Sequence, residues 1–216
     1  MRTLVIDTAT QALSVALLED GRTIGHFHEI VGRGHAEALV PAIAALPDGG
    51  RANAIAVDLG PGSFTGVRIG IAAARALALA WSLPLHGYCA LSLIAAKAAQ
   101  GQDQHQDDGP IAVTITGGHG ELFWQCFKAD GLTAISPPAS TAIAMLAAML
   151  DQPVIYGTGA EALVTARGHG TAISLYPNSA DYPLIAGLPS LPPSPIYCRD
   201  ADAQPMMQPT PQQGRS

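Results

Sequence analysis

The sequence predicts an α/β protein built as two lobes, each a mixed sheet flanked by helices. Three observations predict it. The chain opens with three strand-like segments in succession, joined by short turns. A short apolar strand, a glycine-rich turn and a long apolar helix then follow within residues 55–81. Beyond a polar, aperiodic stretch at 100–109, the order strands, helix, strand, glycine turn, helix returns.

The first lobe is read element by element. Leu4-Val5-Ile6 and Leu13 to Leu18 are apolar runs, and Glu19-Asp20-Gly21-Arg22 supplies a hairpin turn. Thr23 to Ile30 alternates loosely. Its His26 and His28 share one face, expected to be solvent-facing because two histidines without a third ligand do not make a metal site. In residues 35–46, Leu39, Val40, Ile43 and Leu46 recur at helical spacing, with Pro41 inside to kink the helix or mark its first turn. Ile55 to Asp58 is a buried strand, Val67 to Trp81 a helix, Leu83 to Tyr88 extended and Leu91 to Ala99 a short helix.

The second lobe follows the same logic. Ile111–Ile115 and Leu122–Phe127 form a hairpin around Gly117-Gly118-His119-Gly120. Thr141–Leu150 is expected to be a helix capped by Ser140 or Thr141. Val154-Ile155-Tyr156 leads into Gly157-Thr158-Gly159 and a helix near Ala160–Ala166. From Pro177 onward the chain carries nine of its 17 prolines and is expected to be irregular. The expected layout is a first lobe at 1–100, a linker at 101–110, a smaller lobe at 111–203 and a mobile tail at 204–216.

Composition excludes several classes. In 216 residues, 48% are hydrophobic and only 13% charged, about half the usual roughly 25%. Global disorder is excluded, and the apolar surplus is expected to face a partner. The net charge of −6 comes with no basic stripe, which argues against free-standing nucleic-acid binding. No apolar run reaches the roughly 18 residues of a membrane span, and Met1 to Asp7 reads as a strand rather than a signal peptide. Cys89, Cys126 and Cys198 are odd in number and widely spaced, so neither a disulfide frame nor a zinc site is indicated, and the cytoplasm is the expected compartment.

Three features could carry chemistry. Asp7-Thr8-Ala9-Thr10 places a carboxylate and two hydroxyls in the turn leaving the first strand, suited to a metal-bound phosphate or simply to a turn bonded to its own backbone. Gly60-Pro61-Gly62-Ser63-Phe64-Thr65-Gly66 follows a strand and opens a helix, where backbone N–H groups attract anions. It is neither a P-loop, because Val67-Arg68 follow Gly66, nor a dinucleotide loop, because three residues separate Gly62 from Gly66. Ser63 or Thr65 caps the helix, and Arg68 in its first turn calls for an acidic or anionic partner. The third feature is the helix itself, apolar nearly all round. Gly66, Gly70 and Ala73 or Ala74 form a row where another helix can approach, and with the helix at 35–46 it is expected to form a helix-pair interface. The interface candidates are His35, Leu39, Ala42, Ile43, Arg68, Ile71, Ala74, Arg75 and Ala78. A helix buried wholly within its own chain is the alternative. No histidine pair has metal-ligand spacing and no residue is nominated as a nucleophile, so neither a catalytic residue nor a metal ligand is assigned.

The segments Ile6-Asp7-Thr8-Ala9-Thr10 and Ser14-Val15-Ala16-Leu17, then His35, Pro41 and Gly60 through Gly70 closely resemble the bacterial TsaB (YeaZ) family, over about the first hundred residues. The run G-P-G-S-F-T-G-x-R-x-G is the most specific part. Gly120-Glu121-Leu122-Phe123, Gly157-Thr158-Gly159 and Pro195-Ile196-Tyr197-Cys198-Arg199 are weaker echoes. The resemblance implies an actin-like (ASKHA superfamily) fold of two ribonuclease-H-like lobes. It implies a non-catalytic role in making threonylcarbamoyladenosine on tRNA, through pairing of first-lobe helices with the catalytic paralogue TsaD, with the ATPase TsaE completing the assembly. Under it, tRNA is met only through the complex and no membrane is involved, and an unpaired apolar helix face leaves a homodimer possible when the chain is alone. TsaD-like proteins carry Gly-Val-x-His-x-x-x-His after the equivalent helix, whereas this chain has Ala90 and Ile94 at the two histidine positions. Asp7, Thr8, Thr10, Gly62, Ser63, Thr65 and Gly66 then read as vestigial phosphate-binding loops, needing no cofactor but allowing weak ATP or ADP binding. The chain departs from the family at Thr116-Gly117-Gly118, in a short Leu46–Ala54 segment, and where Pro183–Pro195 replaces a last helix. The alternative function is a nucleotide-binding ATPase or phosphotransferase of the same superfamily, acting alone.

Overall fold

The computed structural model describes residues 1–102 and 109–198. Residues 103–108, which make up most of the expected linker, Arg199 and the expected tail at 204–216 lie outside the described residues.

Strands β1 (Arg2–Asp7), β2 (Ala12–Glu19), β3 (Arg22–Ile30), β4 (Ala54–Asp58) and β5 (Leu85–Tyr88) form one sheet in the order β3-β2-β1-β4-β5. The first three are antiparallel neighbours, while β4 and β5 add in parallel beside β1. Helices α1 (His35–Ala44) and α2 (Phe64–Trp81) supply its connections, and α3 (Ala90–Gln102) leads from β5 to the second sheet. The second sheet joins β6 (Ile111–Thr116), β7 (Glu121–Phe127), β8 (Ala139–Ala142), β9 (Val154–Tyr156) and β10 (Thr171–Ile173) in the order β10-β9-β6-β7-β8, with α4 (Ile143–Met149) and α5 (Ala160–Arg167). Its antiparallel meander and parallel additions reproduce the first sheet position by position. The echo between the two halves of the sequence is therefore one architecture used twice.

Both faces of the first sheet are covered, which is why β2 is buried along nearly its whole length. Leu4, Ile6, Leu13, Val15, Ile55 and Val57 pack with α1 and α2. Val5, Ala16, Leu18 and Ala56 face the other way, against Leu93 and Ala96 of α3 and Ile185 of the C-terminal segment. The first core continues through Leu91, Ile94 and Ala98 of α3 to Val113, Phe127 and Tyr156 of the second sheet, so α3 joins the lobes. The outer face of that sheet closes over α4 and α5 through Leu146, Leu150, Leu163 and their neighbours.

Several local expectations change. The helix expected at 141–150 begins only at Ile143, because Ala139–Ala142 pairs with β7 as an edge strand. Neither Ser140 nor Thr141 caps it: the Ser140 hydroxyl donates to Glu121 and Thr141 Oγ1 accepts from Trp124 Nε1. Helix α3 runs through Gly101 to Gln102, so the expected linker starts as helix. His28 is half-buried rather than solvent-facing, because the turn Ser179–Leu184 packs over the first sheet. Helix α2 starts at Phe64 and reaches 18 residues at a mean hydropathy of 1.3, long and apolar enough by composition to cross a membrane. Here Val67, Ile71, Ala74 and Ala78 lay it across the first sheet as a core helix.

Candidate functional site

The end of β1 and the start of α2 lock together. Ser63 caps α2, its Oγ accepting from the Gly66 N–H at 3.2 Å. The Ser63 N–H donates to Ala9 O at 2.6 Å, and the Thr8 hydroxyl donates to Gly66 O at 2.7 Å. A Cβ on Gly62 would collide with Ala9 O, one on Gly66 with Thr8 O and one on Gly70 with the Thr8 hydroxyl. The row of small residues therefore receives the β1–β2 turn of its own sheet, not a partner helix. Thr10 Oγ1 accepts from Ala12 N and Asp7 Oδ1 from Ala9 N, so these donors and acceptors satisfy one another within the loops. Thr65 is exposed on the outer side of the helix.

Beneath this junction lies a buried acid pair. Asp7 and Asp58 end adjacent parallel strands and are 0% and 1% exposed. Burial pushes the Asp7 carboxyl up to about 7, against the pull of the Ala9 N–H, Tyr88 and Asp58. Asp58 is raised well above the usual carboxylate range, first by burial and then by the Asp7 charge, although it accepts from Gly60 N at 2.9 Å. Asp58 Oδ2 is buried without a hydrogen-bond partner among the described residues. The Tyr88 hydroxyl reaches Asp7 Oδ2 and Ile6 O, both at 3.3 Å. Burial and mutual repulsion both favour keeping a proton on the pair over presenting two carboxylates.

Between the lobes opens a cleft of about 1270 Å³. Thr10 and Ser63 stand on one wall, Gly117, Gly118 and His119 on the other, with Arg33 at the rim. Asp7 does not line it, nor does any other carboxylate among the described residues. No group of three His, Cys, Asp or Glu side chains among the described residues is placed to hold a metal ion.

The helix candidates divide sharply. His35, Leu39, Ala42 and Ile43 of α1 are 1–5% exposed, and His35 Nε2 lies 3.2 Å from Ala12 O. Ile71, Ala74 and Ala78 of α2 are 4%, 0% and 9% exposed, inside the same core. The expectation that these seven contact a partner is corrected: the sheet needs that stripe. Arg68 and Arg75 do lie outside, and both bond the C-terminal segment. The outward stripe of α2 is Thr65, Ala72, Ala76 and Leu79, with Leu79 84% exposed and Val40 of α1 65% exposed. Sequence reasoning missed it by choosing the side of the wheel that carries the glycines. The seven-residue spacing of Thr65, Ala72 and Leu79, opposite Gly70, Ala74 and Ala78, was the available signal. Ala90 and Ile94, where TsaD-like proteins carry histidines, are 0% and 1% exposed at the start of α3.

Residues 22–185 match the model of a family described as TsaD, tRNA N6-adenosine threonylcarbamoyltransferase. The chain is 40% identical over 135 residues to the Escherichia coli tRNA threonylcarbamoyladenosine biosynthesis protein TsaB, covering 60% of this chain and 56% of that protein. It is 32% identical over 146 residues to an uncharacterized protein of Mycobacterium tuberculosis, covering 64% of each. The chain thus spans between roughly half and two thirds of the length of these curated relatives. Among solved structures it resembles YeaZ from Pseudomonas aeruginosa, with a TM-score of 0.75, 28% identity, and coverage of 91% of this chain and 99% of that one.

Proposed function

Because the chain belongs to the TsaD-type threonylcarbamoyltransferase family, in its TsaB (YeaZ) branch, we propose that it is a non-catalytic partner subunit of the machinery that makes threonylcarbamoyladenosine on tRNA. It pairs with a TsaD-like catalytic paralogue in the cytoplasm and activates it. A TsaE-like ATPase completes the assembly, tRNA phosphates are met through the partners, and two copies pair through the same face when the paralogue is absent.

The carrying observation is the outward face of the α1–α2 pair. Ala72, Ala76 and Leu79 give α2 an exposed apolar strip of mostly small side chains, on which a partner helix can lie close, and Val40 of α1 is exposed as well. The acid pair supports the non-catalytic part. Asp7 sits where a phosphate-handling relative would offer a carboxylate to a metal, but it is sealed beside Asp58, and burial raises both carboxyls. The apolar Ala90 and Ile94 support it independently, since neither side chain can ligate a metal.

The test is co-purification with the same organism's TsaD-like subunit. The unmutated chain is expected to form a complex. Leu79→Glu is expected to stay folded and lose it, because a solvated position tolerates charge while a dry interface does not. Ala74→Glu is expected not to fold, because that position is core. Full tRNA modification by the TsaD-like and TsaE-like proteins with this chain omitted would sink the proposal.

A further inference from the structure

The irregular C-terminal segment runs along one edge of α2 and is tied to it. Arg75 donates to Pro193 O at 2.6 Å and Arg68 to the Tyr197 hydroxyl at 2.8 Å. The Arg68 guanidinium stacks 3.2 Å from the Phe64 ring centre and 5.7 Å from that of Tyr197. Two further anchors do not involve the arginines. Leu191 exchanges backbone hydrogen bonds of 2.9 and 3.0 Å with Gly87, and Ile196 N donates to Leu59 O at 2.9 Å. The segment is seated on the first lobe, yet Phe64 and Tyr197 are 69% and 65% exposed. Phe64, Arg68 and Tyr197 also line the mouth of the inter-lobe cleft, so the rings stand where the cleft meets the α2 strip. Two open aromatic rings stacked on an arginine, one helical turn from Ala72, have the composition of an interface hot spot.

Charge is sorted along the same strip. The chain has 17 acidic residues against 11 Lys and Arg, yet residues 64–81 and 182–198 hold two arginines and no carboxylate. The partners that Arg68 and Arg75 do have are carbonyls and a hydroxyl, so neither cation has a counter-ion among the described residues. On an exposed surface such charges are solvated, but a purely apolar partner closing over them would strand them.

We infer that α2 and the segment Leu191–Cys198 form one docking surface, and that the partner's matching face carries carboxylates opposite Arg68 and Arg75. The inference rests on the partner reading above and gives the chemistry of the partner's side. An apolar helix face lies on Ala72, Ala76 and Leu79, and acidic side chains border it where the C-terminal segment lies. Tyr197 and Pro193 act as positioning groups that hold the two guanidinium forks toward the partner.

The experiment is a titration of the TsaD-like subunit with this chain at low and high salt. It compares the unmutated chain, Leu79→Glu, the pair Arg68→Gln with Arg75→Gln, Tyr197→Ala and Tyr197→Phe. All the substituted side chains are exposed or half-buried, and the unfolding temperature of each variant checks the fold. The unmutated complex is expected to weaken as salt rises. The arginine pair is expected to lose roughly tenfold or more in affinity at low salt and to show little salt dependence. Tyr197→Ala is expected to weaken binding several-fold, with Tyr197→Phe closer to the unmutated chain. No complex with the unmutated chain would sink both the partner reading and this inference. A complex abolished by Leu79→Glu but unchanged in affinity and salt response by the arginine and Tyr197 variants would overturn this inference alone. Arginine variants that keep full affinity for the protein but release tRNA from the assembly would overturn it in favour of a phosphate-binding role.

Discussion

Burial decides the protonation of the Asp7–Asp58 pair, and with it a pH dependence of stability. An unfolded Asp titrates near 4, whereas folding raises Asp7 to about 7 and holds Asp58 well above its ordinary range. The folded state therefore binds more protons than the unfolded one between those values. The pair's contribution is fully present below the unfolded value and is lost as pH rises through the folded one. The unfolding temperature is expected to fall from pH 5 to pH 8, and Asp58→Asn is expected to flatten that fall. An amide can donate to Asp7 permanently and lets it ionise. A melting series that rises over this range, or an identical slope in the variant, would contradict the raised titration of the pair. The sequence placed Asp7 at the right turn but not beside Asp58, because parallel pairing of β1 with β4 joins residues about fifty apart. Metal-site and loop-satisfaction readings of Asp7 both stood open until burial was known.

Within single elements, glycines and small residues carry two different jobs that one helical periodicity cannot separate. On α2, Gly66 and Gly70 face Thr8 of the chain's own sheet turn, whereas Ala72 and Ala76 face out. Gly66→Ala decides between the jobs. In an unobstructed helix the change would add about 0.5–1 kcal/mol of stability. Against the Thr8 carbonyl it is expected to destabilise by about 1–3 kcal/mol, read by urea unfolding. A stabilised variant would return the glycine row to the partner side. The end of α2 at Trp81 and a cap at Ser63 or Thr65 were legible, though its start lies three residues earlier than the expected Val67, and α5 was legible from its glycine turn. Strands β8 and β10 were not, being four and three residues long and recruited by pairing with neighbours.

For the whole molecule, the proline-rich segment stands where a covering layer is needed. The Ser179 N–H and hydroxyl bond to Ser14, and Ile185, 4% exposed, closes the second face of the first sheet. If this segment is part of the core, Ile185→Ala is expected to cost about 2–4 kcal/mol in denaturant unfolding, the range for emptying a buried aliphatic site. A loss near zero would mean that the segment merely lies on the surface, and Arg68 and Arg75 would lose their anchors with it. Composition and turn residues could not foresee this role, since proline-rich stretches of the same make-up are often solvated linkers.

By itself the sequence determined what depends on local order: the alternation of strands and helices, the glycine turns that follow β4 and β9, the cap of α2, the repeated half, and a family whose motifs are contiguous runs of residues. Only the tertiary structure decided which side of each helix the sheet consumes, that Asp7 and Asp58 are buried side by side on adjacent strands, and that an irregular segment completes the first lobe and flanks its outward face. The reason is physical. Periodicity and turn chemistry act over a few neighbouring residues, whereas burial belongs to surfaces brought together from distant parts of the chain. An apolar helix such as α2, nearly uniform around its circumference, carries no local mark of which side will meet its own sheet and which will meet a partner.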